Sequence, residues 1–471
     1  MNKTTKQNTD HITFPCTDMG NMERFIRRHG DKVRSFGNNK DWLLWDGHRW
    51  QKGGDTMVFP MARETISSII EEAKKASNDN ESDALRRWSK TSQSLAKIQA
   101  MLSLVSKSEK VVVKPSDFDQ SPMQLNCLNG IVDLRSGSLV NKDSSNLVSK
   151  MTNVSFDIDA QCPVFENFIS EIFCGDNELI RWVQRALGYT LTGSVQEQVL
   201  FIAYGTGANG KSTLFDLLRK ILGDYCSTSD SGLFLNSKQS DVRTMEAVGE
   251  LKGVRFVNAA EAESNVRFSE AIIKKLTGGD ALRGTKLHGQ AFIFEPSHKI
   301  WLSNNHLPFA KDGSNGFWRR IKIVPFNRRF SEQEMDTTLP QKLWEEREGI
   351  LAWLVKGAIS WHHHVLISEG KTGLGSCKAI DDCVEQYRYD NDYTSRFIEE
   401  CLTVGEGVGD TKARTLFEAY TNWHLANLGY EAISEAIFSR RMEERDLRKK
   451  RTKEGNVYED VVVKQTTTTS F

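Results

Sequence analysis

The stretch that most constrains this 471-residue chain is Gly205, Thr206, Gly207, Ala208, Asn209, Gly210, Lys211, Ser212. Its spacing, G-x-x-x-x-G-K-[ST], is that of a phosphate-binding loop. The apolar run Val199–Ile202 before it reads as a buried strand. Leu214, Phe215, Leu217 and Leu218 after it recur at helical spacing. Strand, glycine turn and helix is the arrangement in which backbone N–H groups turn towards an anion and a helix start adds a positive dipole end. On this reading Gly205 to Thr213 cradle the nucleotide, Lys211 reaches the β and γ phosphates, and the Ser212 hydroxyl is a ligand for Mg²⁺.

The length is too great for one core, so several domains are expected. Lys plus Arg and Asp plus Glu both number 62, so any nucleic-acid site must be a local basic patch. None of the eight cysteines are spaced as C-x-x-C, which argues against a zinc ribbon, and scattered thiols fit a reducing compartment. The polar start carries no signal core and no apolar run approaches a membrane span. The expected location is the cytoplasm.

Residues 1–16 read as a disordered tail. Asn21–Arg28 suggests a helix, and Asp41–Trp50 a hairpin turning at Asp46-Gly47. Its tryptophans, Trp42, Trp45 and Trp50, suit packing of a small β-element better than stacking on bases. Ala62 to Leu104 has a helical pattern broken by the polar run Ser77–Asp83. Leu128–Leu139 reads as a hairpin turning at Ser136-Gly137, and Phe165–Leu191 as one or two helices. From Leu200 to Phe326 strands and helices alternate, which implies an α/β core. A helical pair over Leu343–Leu366 would cover it.

Downstream of the phosphate loop, Val254–Ala260 reads as a second buried strand with Glu261 and Glu263 at its end. Alone, Glu-Ala-Glu is an ordinary helix cap. In this position one carboxylate can hold the Mg²⁺ shell and the other can orient or deprotonate water. Leu276–Phe292 has glycines at both ends and carries Arg283, Lys286 and His288, which gives a β-hairpin with a basic tip. That tip either follows a nucleic-acid backbone or is simply solvated. Lys299–Asn304 is a third strand leading to Asn305, which can position the lytic water or form a plain turn. Arg319 and Arg320 precede another strand. One of them suits an arginine finger; a finger acting in trans would place the site between subunits of a ring.

Taken together, these segments resemble superfamily 3 helicases of the AAA+ class, and more closely the helicase part of phage and plasmid primase-helicases, a group related to the poxvirus primase-helicase. The matching stretches are Gly205–Thr213, Glu261–Glu263, Leu276–Asp280, Trp301–Pro308 and Phe317–Ile321. The lead-in stretches Thr17–Arg24, Asn129–Gly137, Cys162–Phe165 and Gln184–Gly193 match as well. The resemblance implies ATP and Mg²⁺ as cofactors, Glu261 and Glu263 as the acidic pair, and Asn305 as the polar sensor. It also implies Arg319 or Arg320 as the finger, and Lys286 and His288, with Arg283 beside them, on a hairpin gripping one DNA strand. Similar proteins are hexameric rings moving 3′ to 5′ on single-stranded DNA. No primase-polymerase domain is expected here: Asp117-Phe-Asp119 and Asp157-Ile-Asp159 read as surface carboxylates, so a separate primase or polymerase is an expected partner.

The C-terminal part has helices at Thr415–Trp423 and Ser434–Met442, the second begun by a Ser cap, then a basic run and a closing strand at Asn456–Val463. Arg440, Arg441, Lys449, Lys450 and Arg451 would contact phosphates in a winged helix, or form a solvated face. The expected fold is an α/β AAA+ P-loop ATPase core (196–330) with a helical lid (331–375). A mixed α+β region (17–110) and a helical lead-in (111–195) precede it, and a small winged-helix-like domain (376–471) follows. The expected function is an ATP-dependent DNA helicase in phage, plasmid or mobile-element replication within a bacterial host, acting on single-stranded and forked DNA. The alternatives are a nucleotide-switched initiator without motor activity and a small-molecule phosphotransferase.

Overall fold

The computed structural model describes residues 14–464, apart from 39, 236–240, 260–266, 287–288, 311–313, 429–431 and 454. It opens with α1 (Asp18–His29), capped by the Thr17 hydroxyl, which accepts from the Gly20 N–H. An antiparallel sheet of β1 (Val33–Ser35), β2 (Trp42–Trp45) and β3 (Trp50–Gly53) follows, with Trp45 opposite Trp50. Trp42 and Trp50 are fully buried and pack this unit. Three helices come next, α2 (Asp55–Lys74), α3 (Asp79–Ser92) and α4 (Leu95–Val105). The break before α3 is shorter than the polar run suggests. Asn78 caps α3 by accepting from the Glu81 N–H, and acidic residues in its first turn suit the helix dipole, so Asp79–Asp83 are helical.

The hairpin at Gly137 is formed by β5 and β6, and a further strand pairs on its other side. The three strands are β4 (Gln124–Cys127), β5 (Gly130–Asp133) and β6 (Leu139–Val140). Two helices follow, α5 (Pro163–Ile172) and α6 (Asn177–Leu191).

The central part runs β7 (Leu200–Tyr204), α7 (Lys211–Leu222), β8 (Cys226–Ser229), α8 (Asp241–Glu250), β9 (Phe256–Ala259), α9 (Glu270–Thr277), β10 (Leu282–Gly284), β11 (Phe292–Phe294), β12 (Lys299–Asn304), α10 (Asn315–Trp318) and β13 (Ile321–Pro325). Five of these strands make a sheet in the order β13-β7-β12-β9-β8, with every neighbouring pair parallel. Side-chain alternation splits it into two faces. Phe201, Ala203, Phe256, Trp301 and Val324 join one apolar cluster with α5, α6 and α7; Leu200, Ile202, Val257, Ile300, Leu302 and Ile323 join another with α8 and α9.

Two helices, α11 (Leu339–Glu345) and α12 (Arg347–Ile367), close the first cluster. The axes of α6 and α12 meet backbone to backbone. A Cβ on Gly188 would lie 2.1 Å from the Ala358 nitrogen, and one on Gly357 2.1 Å from the Gln184 carbonyl oxygen. The next helix, α13 (Lys378–Asp390), sends Tyr387 into the second cluster.

The C-terminal unit comprises α14 (Tyr393–Cys401), β14 (Leu402–Val404), β15 (Thr411–Lys412), α15 (Ala413–Leu428), α16 (Glu435–Glu443), β16 (Lys449–Thr452), β17 (Gly455–Tyr458) and β18 (Val461–Val463). Its core is Phe397, Leu416, Tyr420, Phe438, Met442 and Tyr458. The closing strand expected over Asn456–Val463 is two strands. Asp460 adopts a left-handed φ of 56°, which turns the chain, so β17 pairs with β15 and β16 while β18 pairs with β14. Ser434 stands at the N-cap of α16, but its side chain makes no capping bond. Among the described residues no helix is long and apolar enough to cross a membrane.

Candidate functional site

The Gly205–Ser212 loop, expected to bind phosphate, leaves the C-terminal end of β7, flanked by β12 and β13; Tyr204 lies opposite Asn304 on one side and Pro325 on the other. The Gly205 N–H donates to the Asn304 carbonyl (3.3 Å), and the Phe330 N–H donates to the Ala208 carbonyl (2.8 Å). Gly205 has no room for a side chain, since a Cβ would meet the Phe326 carbonyl oxygen at 2.4 Å. Gly207, Ala208 and Gly210 have φ of 95°, 48° and 84°, a left-handed run that turns amides inward. Asn209 is buried and donates to the Phe326 carbonyl at 3.4 Å. Thr206 and Ser212 are exposed at the mouth, and Thr213 is half-buried behind them.

Lys211 begins α7. Its buried ammonium donates to the Gly205 carbonyl and, at 3.1 Å, to Oδ1 of Asn305. The loop lysine and the polar residue after β12 therefore meet directly. Glu261 and Glu263 lie outside the described residues; β9 ends at Ala259, opposite Leu302 of β12. Asn258, one residue earlier, had no signal in the sequence beyond being polar within an apolar run. It shares a face with Phe256, which packs on Phe215 of α7, and its Oδ1 is buried without a hydrogen-bond partner among the described residues. That orphaned oxygen and the open Ser212 hydroxyl are donors of the kind a divalent cation takes, and the left-handed loop with Lys211 suits a triphosphate. Among the described residues no group of three or more His, Cys, Asp or Glu side chains is placed to hold a metal ion.

Two buried cations anchor the other ends of these strands. Arg255, just before β9, donates to the carbonyls of Leu191 (2.6 Å) and Gln124 (2.7 Å). Lys299, first in β12, donates to the carbonyls of Thr192, Ser194 and Ser297. Burial pulls both below their ordinary pKa, and Arg255 lowers Lys299 further. Each cation thereby finds a set of backbone carbonyls as acceptors in place of water.

Arg319 and Arg320 stand at the opposite, N-terminal end of the strands. They precede β13, whose first residue Ile321 pairs with Leu200 at the start of β7. At about 3.3 Å per residue, the strand puts them roughly 16 Å from their own phosphate loop. Arg320 is buried and donates to Thr277 Oγ1 at 3.1 Å and to the Gly316 carbonyl. Arg319 is exposed and donates to Gln198 Oε1 at 3.0 Å.

The basic hairpin is β10–β11, with Arg283 opposite Ile293; both are exposed, as is Lys286 beyond β10. His288 lies outside the described residues. In the C-terminal unit, Arg440 pairs with Glu444 at 3.9 Å, Lys449 with Glu435 at 3.9 Å, and Lys450 with Glu459, while Arg451 is exposed. Arg441 lines a cavity of about 570 Å³ between this unit and the core, with Arg267, Phe309, Tyr393 and His424.

A family described as "D5 N terminal like" matches residues 22–174, and a family of unknown function matches 203–320. A "Putative helicase" of Acanthamoeba polyphaga mimivirus is 26% identical over 336 residues, 66% of this chain and 34% of that protein. A "Putative helicase" of Invertebrate iridescent virus 3 is 26% identical over 240 residues, 49% of this chain and 25% of that protein. A "Putative primase" of African swine fever virus is 20% identical over 285 residues, 57% of this chain and 29% of that protein. The chain resembles viral primase-helicases. The resemblance read from the motifs is thus borne out, at low identity, and the chain spans between a quarter and about a third of the length of these relatives. The fold is similar to the apo C-terminal region of NrS-1, with a TM-score of 0.51 at 13% identity, covering 94% of this chain and 98% of that one. This likeness is one of fold alone.

Proposed function

We propose that this chain is an ATP-dependent DNA helicase module with an AAA+ core, assembled as a ring, hexameric as the motif resemblance implies, and moving 3′ to 5′ on single-stranded DNA during replication of a virus, plasmid or mobile element. The observation that carries this reading is the split of the site across the sheet. Lys211 and Asn305 meet at the C-terminal ends of the strands while Arg319 stands exposed at their N-terminal ends. A site that uses all three needs two subunits.

The loop amides and Lys211 bind the phosphates. Lys211 then exchanges its bonds to Gly205 and Asn305 for phosphate oxygens, which frees the Asn305 carboxamide to orient water. Glu261 or Glu263 accepts the proton of that water. Ser212 and Glu261 would hold a Mg²⁺ ion, which would supply charge neutralisation at the phosphates. Arg319 of a neighbouring subunit stabilises the transferring phosphoryl group. It is the better finger of the two, because Arg320 is committed to Thr277 and Gly316 within its own chain. Arg283, Lys286 and His288 follow the phosphates of one strand.

In the C-terminal unit, α14, α15 and α16 followed by the β16–β17 hairpin support a winged-helix reading, with Arg440, Arg441, Lys449, Lys450 and Arg451 towards DNA. The same unit favours the second reading, a nucleotide-switched initiator. Strand displacement on a forked duplex with ATP and Mg²⁺ separates the two. The helicase reading expects DNA-stimulated hydrolysis that Lys211→Ala abolishes and Lys286→Ala uncouples from DNA. Tight nucleotide binding without turnover, or hydrolysis that survives Lys211→Ala, would sink it.

A further inference from the structure

We propose that Gln198 is a positioning residue for Arg319, aiming it across the subunit boundary; this rests on the trans-acting reading given above. Val195 to Gln198 form a turn closed by the Gln198 N–H on the Val195 carbonyl at 3.0 Å. Gln198 sits in the left-handed region, φ 53°, which a residue with a side chain rarely adopts. The backbone around it is fixed, since the Leu200 N–H donates to the Arg320 carbonyl at 2.7 Å. In that conformation one carboxamide oxygen accepts from both arginines, from Arg319 at 3.0 Å and from Arg320 at 3.5 Å. Arg320 is the buried anchor and Arg319 the exposed arm.

The chemistry of the acceptor matters. A carboxamide fixes one guanidinium N–H but carries no charge, so Arg319 keeps its full positive charge for an anionic partner. A carboxylate of the same length would hold it in a closed ion pair. The carboxylate in this turn is instead the neighbouring residue, and it points elsewhere. Glu197 accepts from Trp361 Nε1 (2.8 Å), Thr372 Oγ1 (2.7 Å) and the Gly373 N–H (2.6 Å). Two adjacent side chains thus divide the work: Glu197 ties the turn to α12 and the segment after it, and Gln198 sets the arginine. The anion that Arg319 meets is the terminal phosphate held by the next subunit's loop.

Subunit doping tests this apart from any effect on the chain's own site. Lys211→Ala subunits have a dead loop but donate a finger, so an equal mixture with wild type should keep about half the hydrolysis per particle. Lys211→Ala/Arg319→Ala subunits should bring it to about a quarter, since half of the live sites lose their finger as well. The expected result is that Lys211→Ala/Gln198→Ala dopes like the Arg319 double variant, with nucleotide KM and particle mass unchanged. Lys211→Ala/Gln198→Glu keeps an acceptor in the turn and should also fall below the Lys211→Ala mixture. If both Gln198 double variants dope like Lys211→Ala alone while the Arg319 double variant is worse, the positioning role is overturned. If the Arg319 double variant also dopes like Lys211→Ala alone, the trans finger itself fails.

Discussion

His298 sets an acid limit on the stability of the central sheet. It lies just before β12, buried, with Nε2 against the Leu276 carbonyl at 3.1 Å. Nε2 must therefore carry the proton, and Nδ1 faces protein without a hydrogen-bond partner among the described residues. A second proton would create a dry, unpaired N–H and a cation beside Lys299. Burial first, and Lys299 next, move its pKa from the ordinary 6.5 down to about 4, against a small opposing pull from the Leu276 carbonyl. The folded pKa is below the unfolded one, so the neutral ring's contribution is fully present above pH 6.5 and is lost as pH falls towards 4. The whole difference is worth about 3 kcal/mol, of which about 2.5 kcal/mol is gone by pH 4.5. Urea unfolding followed by tryptophan fluorescence at pH 7 and pH 4.5 measures it, with His298→Gln as the control. The glutamine amide can still donate towards Leu276 and does not titrate. Carboxylates titrate equally in both proteins and cancel in the comparison. Wild type should lose about 2.5 kcal/mol more than His298→Gln over that range. Equal losses in the two proteins would show that the ring is not held neutral by its burial.

The two arginines should separate cleanly. Arg320→Ala removes the donors to Thr277 Oγ1 and the Gly316 carbonyl, and should cost about 2 kcal/mol in thermal or urea unfolding. Arg319→Ala should leave stability within about 0.5 kcal/mol and lower kcat on the order of a thousandfold; the reverse pattern would exchange their roles. Gly357→Ala, which on an exposed helix would stabilise by about 1 kcal/mol, should here destabilise by about 3 kcal/mol because α6 and α12 must part. A raised melting temperature for that variant would contradict the backbone contact at 2.1 Å.

What was legible in the sequence was local. The glycine-rich turn of Gly205–Ser212, the strands ending at Ala259 and Asn304, the tryptophan hairpin and the basic hairpin each show in a few consecutive residues, through period-two alternation or turn chemistry. What was not legible depends on residues far apart. No local pattern tells that β12 lies between β7 and β9, although that placement is what brings Asn305 to Lys211. Nor does it tell that Arg319 and Arg320 face away from their own loop, since this follows from the parallel pairing of Ile321 with Leu200. Asn258 was silent because a carboxamide in an apolar run gains meaning only once its oxygen is known to be buried. Strand β4 was missed because Gln124–Cys127 is short and only its pairing with β5 makes it a strand. The split at Asp460 was missed because an aspartate in the left-handed region looks like any other in sequence.

The five residues of β7 carry a loop at one end and, through the turn before them, the support of an arginine at the other. If Arg319 acts in trans as proposed, such a subunit has a donor end and an acceptor end, and like ends cannot complete one another. A row of n subunits left open would then contain n − 1 complete sites, with one idle loop at one terminus and one idle arginine at the other. Closing the row recovers the missing site. Turnover per subunit should therefore rise with row length and jump at closure, so the specific activity of a dilution series would count the ends of the assembly.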